Sequence, residues 1–515
     1  MADTPLRTIA ILGGGTAGWM TAAAFAKELS PRAYEIMLIE SEDIGTVGVG
    51  EATVPPINLF NAILGLDVPD FMRACEATFK LGIEFVDWGG LGRRYMHPFT
   101  HFGADVTRRD FPRAWMQYAK DRPDGGGRID DYNLSCIAAA EGRFTLPRRG
   151  QPTEVGPMTY AFHFDASLYA RYLRAYAEKR GVKRVEGKVV DVTQDSDSGF
   201  VQSVTLASGQ TVDAFFFVDC SGFPGLLIEK ALKTGYEDWS HWLPCDRALA
   251  VPSKTEAMPA PVTRSTADAA GWRWRIPLQH RVGNGHVYCS RFMSDDEAEQ
   301  RLLAGLDGPA LARPRPLRFV TGRRRQGWNG NCVAIGLASG FLEPLESTSI
   351  HMIQTAIIRI LSLFPHRGVD PAAVAEFNRL MQEEFESIRD FIILHYKLTE
   401  RDDTPFWRYC RDMAVPEAVT ANLEQFAATG RVTIKPGNPF PEQGWTAVLL
   451  GQGLRPDVRD LDVTAEALEA RMHQTRETLG RVVAAMPTQA EFLKVLGVAK
   501  ENERGVGSVT PQNLA

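Results

Sequence analysis

The feature that most constrains the fold is a glycine-rich turn near the start of the chain. Residues 7–12 (RTIAIL) form a short apolar run, and GGGTAG (13–18) follows directly, before the helical run WMTAAAFAKEL. A further apolar run, YEIMLIE, ends at Glu40. This is G-x-G-x-x-G between a strand and a helix, with an acid about 20 residues further on, which is the fingerprint of a dinucleotide site. The pattern predicts a Rossmann-like α/β fold.

Each residue type in this turn has a physical reason. Gly13 permits the tight turn, Gly15 lets the backbone approach a pyrophosphate, and Gly18 lets the helix pack on the strand. The helix N-terminus offers free N–H groups and its dipole to phosphates, while Glu40 can accept a hydrogen bond from a ribose hydroxyl.

Two later segments favour FAD over NAD as the dinucleotide. DAFFFVDCSG (213–222) is a buried strand that ends in glycine, and GNCVAIGLASGFLEPLESTSIHMIQTAII (330–358) is a strand, a glycine-rich turn and a helix. A compact NAD module would be complete within the first third of the chain. Three strand-to-glycine junctions this far apart predict one large flavin-binding domain that is interrupted by insertions.

Bulk properties exclude several classes of protein. The 515 residues are 44% hydrophobic and 23% charged, as in ordinary globular chains, and the net charge of -6 gives no basic surplus for nucleic acid or anionic lipid. The seven cysteines include no CxxC pair, and the ten histidines have no metal-ligand spacing. No apolar run is long enough for a membrane span and no signal peptide precedes the first strand. We expect a cytoplasmic protein that binds neither nucleic acid nor membrane.

The segment EATFKLGIEFVDW (76–88) alternates apolar and other residues, a pattern typical of a half-buried strand. Taken alone, the alternation places Lys80 and Glu84 on a solvated face.

Five motifs together identify a family. GGGTAGW, VGVGEATVP, VDCSGFPGLLIEKAL, GWRWRIP and GFLEPLESTSIH resemble the flavin-dependent halogenases of the tryptophan halogenase family. The most specific is GWRWRIP, which matches the family's W-x-W-x-I-P signature at Trp272, Trp274, Ile276 and Pro277. The resemblance runs from the N-terminus to about residue 407 and continues more loosely through 445–453.

The resemblance implies an enzyme with a flavin monooxygenase type of FAD-binding domain. Its cofactor is FAD, used as FADH2, with a halide ion (chloride or bromide) and O2. In this family the reduced flavin and O2 give a flavin hydroperoxide, and halide attack releases hypohalous acid into a tunnel that leads to the arene. The cofactor contacts that the resemblance implies are Gly13, Gly15, Thr16, Ala17, Gly18, Glu40, Ala52, Val189, Leu337 and Ile350.

The same resemblance assigns the catalytic roles. Lys80 matches the lysine that captures or polarises hypohalous acid, so the lysine is expected to be buried near Glu346 and away from the flavin. Both a haloamine and a hydrogen-bonded hypohalous acid remain open. Glu346 matches the carboxylate that orients the oxidant or accepts the arene proton. Thr348 and Ser349 begin a helix whose amides suit the halide, and the tryptophans of GWRWRIP separate substrate from flavin.

The chain departs from the tryptophan-specific members after residue 407. The region 427–453 lacks the paired tyrosines that grip the amino acid, and Glu442 is its only acid. Loss of this polar grip predicts weak use of free tryptophan and favours indole or another arene without the zwitterion. His101 and Phe102, in HPFTHF (97–102), are the candidate walls for that arene.

The expected organisation is a FAD-binding core over 1–370, with substrate-side insertions at about 90–160 and 240–320. A mostly helical region, 371–515, is expected to cover the substrate side. The resemblance implies a separate NAD(P)H-dependent flavin reductase as partner and allows a homodimer. Two alternatives stay open from sequence: a flavin hydroxylase that acts directly on substrate, and a non-catalytic flavin-binding protein.

Overall fold

The computed structural model describes residues 6–43, 50–104, 110–120, 122, 126–146, 155–255, 258, 260–459 and 461–499. The motif VGVGEATVP begins outside the described ranges, at residues 47–49. The predicted core, its two insertions and the C-terminal region also include residues outside these ranges.

The α-helices of the described ranges are, in chain order, α1 Thr16–Glu28, α2 Pro56–Leu64, α3 Val68–Ala74, α4 Phe111–Lys120, α5 Leu134–Ala140, α6 Ala166–Glu178, α7 Asp295–Ala304, α8 Ser349–Ser362, α9 Pro371–Lys397, α10 Pro405–Asp412, α11 Glu417–Thr429, α12 Glu442–Gly451, α13 Ala465–Ala484 and α14 Gln489–Val495.

The strands of the same ranges are β1 Arg7–Leu12, β2 Tyr34–Glu40, β3 Gly50–Ala52, β4 Thr78–Lys80, β5 Gly82–Val86, β6 Arg94–Pro98, β7 Ala161–Asp165, β8 Lys183–Glu186, β9 Val189–Gln194, β10 Val201–Leu206, β11 Thr211–Asp213, β12 Phe216–Asp219, β13 Tyr236–Asp238, β14 Arg247–Ser253, β15 Thr263–Asp268, β16 Gly271–Pro277, β17 Val282–Tyr288, β18 Arg315–Arg318, β19 Gly322–Arg324, β20 Trp328–Asn329, β21 Cys332–Ala334 and β22 Gly340–Phe341.

The glycine-rich turn belongs to a six-stranded sheet in the order β20-β21-β12-β1-β2-β8. β1 pairs in parallel with both β2 and β12, and β12 pairs in parallel with β21. The strands of the three predicted strand-to-glycine junctions, β1, β12 and β21, are therefore neighbours in space. Because parallel strands end at one edge of the sheet, their turns meet there, which confirms the predicted Rossmann-like arrangement.

A second sheet has seven strands in the order β18-β14-β17-β16-β15-β5-β6. It joins β5 and β6 to the segment 247–318, and β15 runs parallel to β5 with Thr263 opposite Ile83. The GWRWRIP motif forms β16, a central strand of this sheet.

The alternating segment 76–88 is divided between two sheets. β4 belongs to the three-stranded sheet β3-β7-β4, whereas β5 belongs to the seven-stranded sheet. Leu81 lies between them, its N–H donating to the Pro261 carbonyl. The predicted single strand with one solvated face is therefore wrong. Glu84 is only partly exposed, beside Arg264, and Lys80 is fully buried.

Helices predominate after residue 370, and α13 packs against α4 and α5. The domain limits given above stay a prediction. None of the described helices is both long and apolar enough to cross a membrane. All seven cysteines are unpaired.

Candidate active site

A cavity of about 890 Å³ opens at the carboxyl edge of the six-stranded sheet. Its lining includes the glycine turn after β1, the end of β2, and Cys220 to Phe223 after β12. The edge where parallel strands end is where such folds bind dinucleotides.

The glycine turn can hold its shape only with glycine at two positions. Gly13 has φ +106°, and a Cβ there would lie 2.2 Å from the Cys220 carbonyl oxygen. A Cβ on Gly18 would lie 1.8 Å from the Gly13 carbonyl oxygen. At Gly15, by contrast, a Cβ would meet nothing within 4 Å, because this residue faces the cavity. The free side of the turn thus fits a group that needs close backbone approach.

The predicted cofactor contacts cluster around this space. Glu40 lines it at the end of β2, where its carboxylate is paired with Arg184 and Arg174. Gly18 does not line it but supports the turn from behind. The lining residues are Gly13, Gly15, Thr16, Ala17, Glu40, Ala52, Val189, Leu337 and Ile350. The cavity, the open turn and the acid at the strand end together fit FAD.

The tryptophan motif forms part of the cavity wall. Trp272, Trp274 and Ile276 line the cavity, whereas Pro277 lies behind it with its carbonyl accepting a 2.7 Å hydrogen bond from Thr78. The ring centroids of the two tryptophans are 6.1 Å apart.

Trp272 is held by a buried carboxyl group. Its Nε1 donates to Glu343 Oε2 at 2.8 Å, and the Tyr396 hydroxyl donates to the same oxygen at 2.6 Å. Burial raises the pKa of Glu343 to about 7 despite these two donors. Nothing in the sequence pattern pointed to this arrangement.

A second acid lines the cavity itself. Glu51, in β3, lies between the buried residues Gly50 and Ala52, and the exposed part of its side chain opens into the cavity. Burial raises the pKa of Glu51 to about 7, and the nearby charge of Asp165 adds to the effect.

Lys80 lies behind the cavity wall, fully buried as expected. Its Nζ donates to the Thr53 carbonyl at 2.9 Å and to Ser347 Oγ at 2.7 Å, and lies 5.3 Å from the centre of the Phe99 ring. Ser347 also lines the cavity, so this one residue connects Lys80 to the cavity wall. Burial lowers the pKa of Lys80 from 10.5 to about 7, against the opposing charge of Glu346.

Glu346 is buried between two histidines. His97 Nδ1 lies 2.7 Å from one carboxylate oxygen, and His395 Nε2 lies 2.8 Å from the other. Burial opposes ionisation, but the charges of His97 and His395 and the hydrogen bond with His97 outweigh it and lower the pKa of Glu346 to about 2. The charge of Glu346 acts on Lys80, and Ser347, the neighbour of Glu346, accepts a hydrogen bond from Lys80.

Thr348 and Ser349 begin α8. Ser347 has φ +60°, a left-handed conformation that turns the chain sharply before the helix. The Thr348 hydroxyl is buried and has no hydrogen-bond partner among the described residues, and Ser349 lines the cavity. The first N–H groups of a helix have no partner within it, so this turn can receive an anion.

The role of His101 and Phe102, in HPFTHF, as walls for the arene stays a prediction. His101 is exposed and Phe102 is buried, and neither lines the described cavity. The contacts to Glu346 and Lys80 come from His97 and Phe99, at the start of the same six residues. The sequence pointed to this stretch, but which of its residues face Glu346 and Lys80 depends on where β6 ends, at Pro98.

The region 427–453, called the clamp region below, contributes two aromatic rings to a cluster around Phe391 of α9. Phe440 stacks on Phe391 with centroids 3.9 Å apart, and Trp445 contacts Phe391 edge-on at 5.2 Å. Phe440 lies 6.1 Å from the His97 ring. Glu442, the only acid of this region, is exposed at the start of α12.

Comparisons with known proteins agree on one family. The family model described as "Tryptophan halogenase" matches residues 8–467. The chain is 34% identical over 527 residues to tryptophan 7-halogenase RebH of Lentzea aerocolonigenes, covering 94% of this chain and 98% of RebH.

Solved structures give the same result. The flavin-dependent halogenase BrvH from Brevundimonas sp. BAL3 superposes with a TM-score of 0.90 at 44% identity, covering 96% of this chain and 99% of BrvH. Tryptophan 6-halogenase SttH of Streptomyces toxytricini superposes with a TM-score of 0.85 at 33% identity, covering 95% and 100%.

Proposed function

We propose that the substrate is indole or an indole-like arene rather than free tryptophan. The proposal starts from the family: this chain belongs to the tryptophan halogenase family and is an enzyme that halogenates an arene with FADH2, O2 and a halide. The observation that carries this proposal is the content of the clamp region: aromatic rings next to His97, with Glu442 exposed. Aromatic neighbours suit an indole ring, whereas a zwitterion needs polar partners.

Lys80 is proposed to deliver the halogen. FAD held by the lining of the cavity would supply hypohalous acid there from O2 and halide. Besides its bond to carbon, the Lys80 nitrogen has three directions for hydrogen bonds, and two of them are used by the bonds to Thr53 and Ser347. The remaining position presents a lone pair in the amine and an N–H in the ammonium. Since its pKa is about 7, both forms are populated near neutral pH, and both the haloamine and the hydrogen-bonded oxidant stay open.

The halide is proposed to bind where α8 begins. The unpartnered Thr348 hydroxyl, the free amides of the first turn and the contact of Ser349 with the cavity support this site. An anion there would lie at the positive end of the helix dipole, which compensates for its loss of water.

The tryptophans of β16 are proposed to keep the arene away from the cofactor. Trp272 and Trp274 occupy the cavity wall, and Glu343 fixes the Trp272 ring. Their separation of substrate from FAD disfavours direct oxygen transfer to the arene, which is the hydroxylase alternative.

A separate flavin reductase is proposed to supply FADH2, as is typical of the family. We propose that it draws on NADH or NADPH. The homodimer and the cytoplasmic location remain predictions.

The test combines the protein with FAD, a flavin reductase, NADH and bromide, and supplies either indole or tryptophan. We expect the bromine isotope doublet in the indole product, dependence on bromide, and a higher kcat/KM for indole than for tryptophan. Lys80→Ala should abolish the product while FAD still binds. A higher kcat/KM for tryptophan would refute the substrate proposal, and full activity of Lys80→Ala would refute the role of Lys80.

A further inference from the structure

Five oxidisable rings form a continuous path from the cavity into the core. Trp274 and Trp272 line the cavity, with ring centroids 6.1 Å apart. The Trp272 ring lies 6.4 Å from that of Trp88. The Trp88 ring in turn lies 5.2 Å from Tyr396 and 5.6 Å from Trp407, and all three of these side chains are fully buried. Because electrons tunnel readily between aromatic rings at such separations, the path connects the cavity electronically to the core.

A single buried carboxyl group contacts this path at two rings. Trp272 Nε1 donates to Oε2 of Glu343 at 2.8 Å, and the Tyr396 hydroxyl donates to the same oxygen at 2.6 Å. Removal of an electron from an indole or a phenol makes its N–H or O–H group strongly acidic, so an oxidised ring is stabilised where a base can take that proton. Burial raises the pKa of Glu343 to about 7, which makes it a stronger base than an exposed carboxylate.

Two other rings of the path lack such a base. Trp88 Nε1 donates to the Ser265 backbone carbonyl at 3.2 Å. Trp274 Nε1 is buried and has no hydrogen-bond partner among the described residues. A backbone carbonyl accepts a hydrogen bond but does not take a proton near neutral pH. Oxidation of either ring would therefore leave a positive charge in the core.

The last ring, Trp407, is disfavoured for two reasons. Its Nε1 donates to another backbone carbonyl, that of Asp268, at 2.7 Å. The Arg401 guanidinium lies 4.6 Å from the centre of the Trp407 ring, and this positive charge opposes the loss of an electron there. The path therefore ends at Tyr396, the phenol that can pass its proton to a carboxylate.

We propose that Tyr396 and Glu343 form a redox pair that collects one-electron oxidation from the flavin cavity. The oxidant is light-excited oxidised flavin, which takes up one electron. Tyr396 supplies that electron through the tryptophans, its O–H bond breaks, and the proton forms a bond to Oε2 of Glu343. Return of the electron restores the phenol and the carboxylate, so nothing is consumed. The pair thereby quenches excited flavin before O2 can react with it.

The test detects the radical in the protein with bound oxidised FAD, without halide or arene. Samples at pH 8, free of oxygen, are illuminated with blue light and frozen, and their radicals are identified by electron paramagnetic resonance. Protein made with ring-deuterated tyrosine identifies a tyrosyl radical, because deuteration narrows its spectrum. FAD titration confirms that each variant binds the cofactor. No halogenation takes part, so the result is independent of the proposed substrate.

Wild type should give a tyrosyl radical. Tyr396→Phe should lose that signal and retain a tryptophan radical. Glu343→Gln keeps a hydrogen-bond acceptor of the same shape, but its amide does not take the proton, so this variant should also lose the tyrosyl signal. Tyr409→Phe is the matched control and should keep the wild-type spectrum, because this partly exposed tyrosine donates to the His241 carbonyl.

Three outcomes would overturn the proposal: no tyrosyl radical in the wild type, a tyrosyl signal of wild-type intensity in Tyr396→Phe, or the same in Glu343→Gln. If a variant does not fold, the wild type still decides through its light-minus-dark infrared spectrum. Protein made with carboxyl-labelled glutamate should gain an isotope-shifted band of a protonated carboxyl group together with the tyrosyl radical. A tyrosyl radical without that band would refute the transfer of the proton to Glu343.

Discussion

Replacing Lys80 with methionine tests the buried position of this side chain through protein stability. Methionine keeps most of the volume but removes the ionisable nitrogen. The pKa of Lys80 is lowered from 10.5 to about 7, which means that a charged Lys80 costs the folded state about 5 kcal/mol relative to the unfolded chain.

The sign of the pH dependence follows from this shift. Between pH 7 and pH 10.5 the unfolded chain binds more protons at Lys80 than the folded chain, so wild-type stability rises with pH in this window. The penalty falls from about 4 kcal/mol at pH 7 to about 2 kcal/mol at pH 9. Lys80→Met carries no such penalty at any pH. It also leaves Thr53 and Ser347 without their donor, a cost of about 1–3 kcal/mol each that does not change with pH.

The assay compares unfolding of Lys80→Met and wild type at pH 7, 8 and 9. The stability of the variant relative to wild type should fall by about 2 kcal/mol from pH 7 to pH 9, or about 2 °C in relative Tm for a chain of this length. Lys27→Met, at an exposed position of α1, is the control for losing a lysine. A difference that stays constant with pH for Lys80→Met would refute the reasoning, because the amine would then be as well solvated in the folded protein as in the unfolded chain.

Three further predictions concern the cavity. Gly13→Ala should lower Tm and abolish FAD binding, because its Cβ would overlap the Cys220 carbonyl. Gly15→Ala should keep the wild-type Tm and lose FAD affinity. Thermal melts and FAD titration check both variants, and equal Tm values for the two would contradict the prediction. The pKa of Glu51 is raised to about 7, so its contribution to stability is lost as pH rises from 4.5 through 7. The Tm of Glu51→Gln should therefore rise relative to that of wild type over this pH window. A difference in Tm that does not change with pH would count against the burial of Glu51. Ser347→Ala removes the hydrogen bond to Lys80 and should reduce brominated product more than it reduces FAD affinity, and equal losses would indicate that Ser347 serves the cofactor site alone.

The cofactor site could be predicted from sequence because its determinants are local. A strand, a glycine-rich turn and a helix follow one another within residues 7–28. Backbone geometry requires glycine at Gly13 and Gly18, whereas Gly15 leaves the turn open to the cavity. The signature at β16 was equally visible as a short motif. The position of the lysine could be predicted only through the family resemblance, since alternation by itself indicated a solvated Lys80.

What the sequence determined by itself is therefore the glycine turn, the order of strands and helices around it, and the family. The tertiary structure decided the contacts made over long distances. Lys80 is fully buried and Glu84 is partly exposed, because the chain passes from one sheet to another at Leu81. Glu346 meets His97 across 249 residues, and no local pattern distinguishes that histidine from His101. Burial and charge pairing depend on which segments pack together, and this packing assigns Glu346 to its two histidines and Lys80 to Ser347.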